Sequence, residues 1–206
     1  MQRIRRLGKR EPLAEVYRLK VEGLAVLETL SELGSIELLY ADAAHINEQP
    51  EVPYGWQFRD EKVFMPSAKG AGINLFGFIT RANRLISEVT SEPITGEFVV
   101  RQIEKLLDTI NKPTVIVLDN APSNRNRKMR QRIPYWEARG LSVFYLPVYS
   151  PHLNIAEILW RKLKYEWLSP ADYLSWENLQ YQVRLGLSNV GSRLKINFSK
   201  FNHSLI

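Results

Sequence analysis

The sequence predicts an α/β protein with a mixed sheet and helices on both faces. Three observations lead there. Short β-branched and leucine-rich runs, Ile36–Asp42 and Thr114–Asp119 among them, read as buried strands. Stretches with apolar residues at helical spacing separate the later runs, so those crossovers should be parallel and right-handed. The 206 residues, 45% apolar and 24% charged, suit one globular domain with a sizeable core.

Taken in order, residues 1–10 carry Arg3, Arg5, Arg6, Lys9 and Arg10, which fits a solvated terminus as well as an arm contacting nucleic acid. Leu13, Val16, Tyr17, Leu24, Leu27 and Leu30 then recur at helical spacing, and Gly34 is a plausible stop. The first strand follows and is expected to end at Asp42. Residues 47–72 mix proline, glycine and charge around a short strand at Lys62–Met65. Gly72–Thr80 reads as a strand with Arg84–Val89 as its hairpin partner. Phe98, Val99, Ile103, Leu106, Leu107 and Ile110 trace one helix face. The strand ending at Asp119 comes next, then a basic helical stretch to Arg139 and a strand at 143–146. After a proline-bearing loop, Asn154–Trp167 is helical. Trp176, Leu179 and Val183 suggest a further packing helix in a basic, polar tail.

Net charge +6 favours a polyanionic partner. The absence of cysteine excludes a disulfide framework, a thiolate zinc site and a cysteine nucleophile, and three histidines make any zinc site implausible. No apolar run is long enough to span a membrane, and no secretory core follows the basic N-terminus. A soluble, cytoplasmic chain associated with the nucleoid is expected.

Asp42, Asp119 and Glu157 are the candidate catalytic residues and metal ligands. An acid at the end of a buried strand stands where an α/β sheet exposes its reactive groups. Three carboxylates meeting in space would form an all-oxygen site suited to Mg²⁺ or Mn²⁺. Two such ions can activate an attacking oxygen and stabilise a leaving one in phosphoryl displacement. Each acid also has a purely structural explanation. Asp42 and Asp119 could cap turns. Glu157 could complete a capping box with Asn154 as N-cap, or pair with Arg161 one turn on.

Arg125, Arg127, Lys128, Arg130 and Arg132 follow Asp119 closely, and Arg161 and Lys164 follow Glu157. Arg125, Arg127, Lys128, Arg161 and Lys164 are the candidate DNA contacts, set against the plainer reading of solvated helix faces. Trp160 reads as core. Trp56 suits either a packed loop or stacking on DNA. His45, three positions from Asp42, should face away from it. His152 lies in the loop before Glu157 and is placed to approach the site or DNA.

The stretches Leu39-Tyr40-Ala41-Asp42, Val117-Leu118-Asp119-Asn120-Ala121-Pro122 and Tyr149-Ser150-Pro151-His152-Leu153-Asn154-Ile155-Ala156-Glu157, with Leu159-Trp160 and Lys164, carry a resemblance. Over roughly residues 35–168 the chain resembles the catalytic domain of DDE/D transposases of the mariner-like superfamily, in its bacterial insertion-sequence branch. The 37 residues between Asp119 and Glu157 are close to that family's spacing. The resemblance implies an RNase H-like fold with a mixed five-stranded sheet, two Mg²⁺ (or Mn²⁺) ions, and Asp42, Asp119 and Glu157 as their ligands. It implies nicking at transposon ends and attack of the freed 3′-hydroxyl on target DNA. As partners it implies DNA, both ends and target, a homodimer on paired ends, and a helix-turn-helix region. Residues 1–34 leave no room for that region, which is expected to have been removed, to sit on a separate polypeptide, or to have been lost. The chain departs from the family at Ala43, where a second acid is frequent, at Asn124, where histidine is frequent, and at His152, where Asp is common.

The division expected is a basic arm and linker helix over 1–34, the catalytic domain over 35–168 and a helical extension over 169–206. The alternatives are a degenerate remnant that only binds DNA, or a structure-specific nuclease on the same fold.

Overall fold

The computed structural model describes residues 14–48 and 72–201. The basic arm, the strand expected at Lys62–Met65, Trp56 and His203 lie outside the described residues.

Five strands form one sheet: β1 (Glu37–Asn47), β2 (Gly72–Ile79), β3 (Leu85–Thr90), β4 (Thr114–Leu118) and β5 (Leu141–Tyr145), in the spatial order β3-β2-β1-β4-β5. β1, β2 and β3 form an antiparallel meander, while β4 and β5 are added in parallel on the other side of β1. The crossovers of the parallel half are α2 (Gly96–Leu107) and α3 (Arg127–Ala138). α1 (Ala14–Glu32) precedes the sheet, and α4 (Ala156–Lys162) and α5 (Trp176–Ser188) follow it. This is the mixed five-stranded α/β architecture expected.

Alternation along the strands divides the core. Leu38, Tyr40 and Ile46 of β1 and Ile73, Leu75 and Ile79 of β2 face α1, α4 and α5, whose contributions include Leu24, Trp160 and Val183. Leu39, Ala41, Phe76, Phe78, Ile116 and Leu118 face α2 and α3, which supply Phe98, Ile103, Met129 and Trp136. The first core takes residues from both sides of positions 34/35 and 168/169, including Leu187 and Ile196, so the outer segments pack on the sheet itself. Among the described residues, no helix is long and apolar enough to cross a membrane.

Several boundaries follow from local chemistry. α1 stops at Gly34, whose φ of +75° is the left-handed turn that a side chain resists, and Ser35 N–H returns to Leu30 C=O at 3.0 Å. α2 begins at Thr95, whose side chain accepts from Phe98 N–H. The basic stretch after Asp119 is a 3-10 turn at Pro122–Asn124 and then α3, started by Asn126, whose side chain accepts from Met129 N–H.

Two expectations need correction. Asp42 does not end its strand: β1 continues to Asn47. Its length is set by β2, which pairs with it from Tyr40↔Ile79 to Asn47↔Gly72, placing Asp42 opposite Gly77. What ends near Asp42 is the parallel pairing, since β4 leaves β1 after Tyr40↔Val117. Asp42 is thus exposed on the side where a neighbouring strand has stopped. The helix expected over Asn154–Trp167 is α4 followed by one π-helical turn, Leu163–Trp167.

Candidate active site

Three elements deliver the three acids. Asp42 shares a face of β1 with Tyr40, the face that meets α4. Asp119 is the first residue after β4. Glu157 is the second residue of α4. All three line one cleft of about 550 Å³, with Asn120, Tyr149 and Asn154 among its other walls. Tyr149 is a rim residue with left-handed backbone (φ +56°), 68% exposed.

The acids feel one another. Burial pushes the Asp42 carboxyl up to about 7, and the charges of Glu157 and Asp119 push the same way, against a backbone N–H at Ala43. Burial also raises Glu157, with Asp119 adding to the rise and Lys164 opposing it. Like charges held together in a half-buried cleft favour a cation. Among the described residues no group of three or more His, Cys, Asp or Glu side chains is drawn into a single ion cage. The donor set is nevertheless all oxygen, on three separate elements, and suits hard divalent ions shared between pairs of acids and completed by a substrate's oxygens.

The surroundings fix each carboxylate. Asp119 Oδ1 accepts from Ala121 N–H at 3.0 Å and from Asn124 Nδ2 at 2.6 Å. Asn124 is nearly buried, and its C=O accepts from the Tyr145 hydroxyl at 2.7 Å. Asn120 Nδ2 donates to Leu146 C=O, tying the ends of β4 and β5.

Glu157 is not part of a capping box. α4 starts two residues after Asn154, with Ile155 at the cap position; the Asn154 side-chain oxygen accepts from Ala156 N–H at 3.1 Å while its Nδ2 donates to Ala41 C=O at 3.1 Å. Asn154 therefore stitches the start of α4 to β1 beside Asp42. Trp160, 3% exposed, is core, as expected. Its buried indole N–H has no well-formed hydrogen bond among the described residues and acts on Asp42 to favour the charged carboxylate. Gly77 makes room for it: a Cβ there would come within 3.1 Å of the indole ring.

A second cleft of about 430 Å³ adjoins the first at Glu157 and is lined by His152, Arg161, Lys164 and Tyr165. His152 meets Tyr17 of α1, Nε2 to hydroxyl 3.0 Å. His45 sits on the exposed side of β1, between the side-chain oxygens of Asn74 and Asn47, each 2.8 Å away. Among the other candidate contacts, Arg125 and Arg127 are exposed, whereas Lys128 is engaged by Glu97 of α2. Sequence reasoning missed the positioning partners Asn124, Asn154 and Tyr145. The asparagines flanking the acids were their one visible signal.

The catalytic domain of Mos1 mariner transposase has the same fold, with 14% identity, a TM-score of 0.54 and coverage of 92% of both chains. The mariner Mos1 paired end complex with Mg gives 17% identity and a TM-score of 0.62 over 94% of this chain and 65% of that one. The catalytic core of BIV integrase gives 15% and 0.50 over 80% and 90%. The chain spans 63–65% of the length of the Mos1 chains in complexes of that kind. Among curated proteins, none matches. The family model of the DDE superfamily endonucleases matches residues 37–180, which include the whole sheet and all three acids, so the chain belongs to that superfamily, whose chemistry depends on divalent metal ions.

Proposed function

We propose that this domain cuts and joins DNA phosphodiester bonds at the ends of a mobile element, as the catalytic domain of a transposase. The observation that carries the reading is the convergence of Asp42, Asp119 and Glu157, from three elements, on one cleft where their charges are coupled. In this reading the three acids hold two ions, Mg²⁺ or Mn²⁺. When bound, such ions activate an attacking oxygen and stabilise the leaving one.

The chain's own residues do the rest. Asn124 and Ala121 N–H aim the Asp119 carboxylate, and Asn154 keeps Glu157 in register with Asp42. Arg161 and Lys164 line the cleft beside Glu157, where they would meet phosphates of the bound strand. Arg127 is available for further backbone contacts. In this reading residues 35–168 carry the chemistry and 1–34 and 169–206 flank it; the described part of the latter, 169–201, packs into the core it shares with α4. The partners are transposon ends and target DNA, with a homodimer on paired ends and a separate helix-turn-helix region for end recognition. In this reading the chain works in the cytoplasm, on the nucleoid.

Asp119→Asn tests the reading. Metal-dependent strand cleavage should fall by at least ~10³-fold, several kcal/mol of transition-state stabilisation, with the unfolding midpoint little changed. Cleavage that survives the substitution would sink the assignment. A strand-joining product from the wild-type chain separates transposition from simple nuclease action.

A further inference from the structure

On the outer face of α2 and α3, four cations meet carboxylates. Arg101 meets Glu92, Lys105 meets Glu88, Lys128 meets Glu97 and Arg132 meets Glu104. At the open edge of the sheet, along β5, the pattern breaks. Lys20 of α1 stands with Nζ 4.6 Å from the centre of the Phe144 ring, and Arg125 with Cζ 5.9 Å from that of Tyr145. Phe144 and Tyr145 are successive residues of a strand, so their rings point to opposite faces. The two cations therefore straddle the edge. Neither has a carboxylate partner among the described residues. Lys20 is a weaker base than usual, first through partial burial and then through the charge of Arg125.

Both seats are built. Three residues after Lys20 comes Gly23, where a Cβ would press within 3.3 Å of the Phe144 ring, so its absence lets that ring lie against α1 beneath the lysine. The Tyr145 hydroxyl bonds to the C=O of Asn124, the residue before Arg125. Exposed Arg130 also acts on Tyr145 from the same side. Two like charges fixed across a strand edge, without a counter-charge, are complementary to an anion.

We propose that Lys20 and Arg125 together bind one phosphodiester group of a nucleic-acid backbone running along the β5 edge. The inference rests on DNA being the substrate. It makes α1, read from sequence as a linker helix, part of the substrate surface. Because Arg125 follows Asn124, which aims Asp119, a strand held there reaches the catalytic cleft from the β5 side.

The test is binding of a short DNA duplex in EDTA over a range of KCl concentrations. Wild type is compared with Lys20→Gln, Arg125→Gln, the double variant and the charge-matched control Lys105→Gln. One shared phosphate counts once in the slope of log affinity against log salt, so the double variant should lose about 0.9 and each single variant, which keeps one cation on that phosphate, less than the double. The control should keep the wild-type slope. An unchanged slope in the double variant, an equal loss in the control, or a double loss of about 1.8 would each overturn the site. Metal-dependent cleavage by the wild-type chain reports separately on the proposed function. Cleavage with unchanged slopes removes this site alone, and altered slopes without cleavage keep the site and remove the function.

Discussion

Tyr40 and Asp42 lie two residues apart on one face of β1, and each leads into a cluster of buried charge. At Tyr40 the charges are opposite. Glu28 of α1, almost fully buried, accepts from the Tyr40 hydroxyl and from Arg81, whose Nε and Nη2 approach its oxygens at 2.7–2.8 Å. Arg81 also donates to Ser199 C=O at 2.6 Å, so this cluster ties α1, the β2–β3 turn and the C-terminal segment together. At Asp42 the charges are alike, and the cluster faces a cleft. The first cluster is satisfied within the chain and holds the fold. The second keeps a surplus of like charge that Lys164 opposes only at Glu157, and a cation from outside would suit it. Burial of a carboxylate is common to both. What separates structure from function here is whether the counter-charge is built in.

Breaking the matched cluster should have the largest effect. Arg81→Ala leaves Glu28 buried without its cation, which destabilises by about 3 kcal/mol, the low end for a buried pair because Arg81 is itself 23% exposed. Urea denaturation should show it as a lower midpoint at unchanged slope. Replacing both residues with methionine should recover most of that loss. If Arg81→Ala unfolds at the wild-type midpoint, the cluster is not what holds the two ends of the chain.

The unmatched cluster should respond with the opposite sign. In the folded, metal-free protein Asp42 keeps its proton to about pH 7, against an ordinary value of 3.8. A carboxyl whose pKa is raised on folding stabilises the fold below its unfolded pKa, and that contribution is lost as pH rises towards the folded pKa. The penalty therefore sets in above pH 3.8, grows to about pH 7 and is level beyond. Asp42→Asn should be near neutral at pH 4 and stabilising by of order 2 kcal/mol at pH 8. Added Mn²⁺ should raise the melting temperature of the wild type at pH 8 and leave the variant nearly unmoved. A melting difference that ignores pH would mean that Asp42 is not the strained member.

The two clusters also differ in how far the sequence announces them. Asp119 after a short buried run and Glu157 at a helix start are local patterns, and both stand where those patterns put them. The end of β1 is not local, because β2, some thirty residues on, decides how far β1 extends past Asp42. Asn154 looks like an N-cap from its neighbours, whereas its amide contacts Ala41, 113 positions away. Glu28 sits in a helix among apolar residues, where an acid ordinarily faces solvent. Its partners Tyr40 and Arg81, 12 and 53 positions on, explain its burial. Helix starts and strand runs are encoded within a few residues, but charge matching is encoded in pairs that the fold alone brings together.

The smallest effect should come from the support beneath an acid that keeps its place. Asn124→Ala removes the 2.6 Å donor from Asp119 and leaves the 3.0 Å bond from Ala121 N–H. Partners of this kind typically change metal affinity or turnover by about 10–100-fold. With one donor surviving, a loss near the lower figure is expected in a calorimetric Mn²⁺ titration without DNA. Asn124→His restores a donor, and histidine is frequent at this position in the family the chain resembles, so it should bind Mn²⁺ nearly as the wild type does. Tyr145→Phe frees the Asn124 carbonyl without touching its amide and should weaken binding less than Asn124→Ala. If the alanine and histidine variants are equally impaired, Asn124 supports the loop rather than the carboxylate. Asp119 would then be aimed by backbone alone, and the acidic cluster would be as little braced by side chains as it is matched by charge.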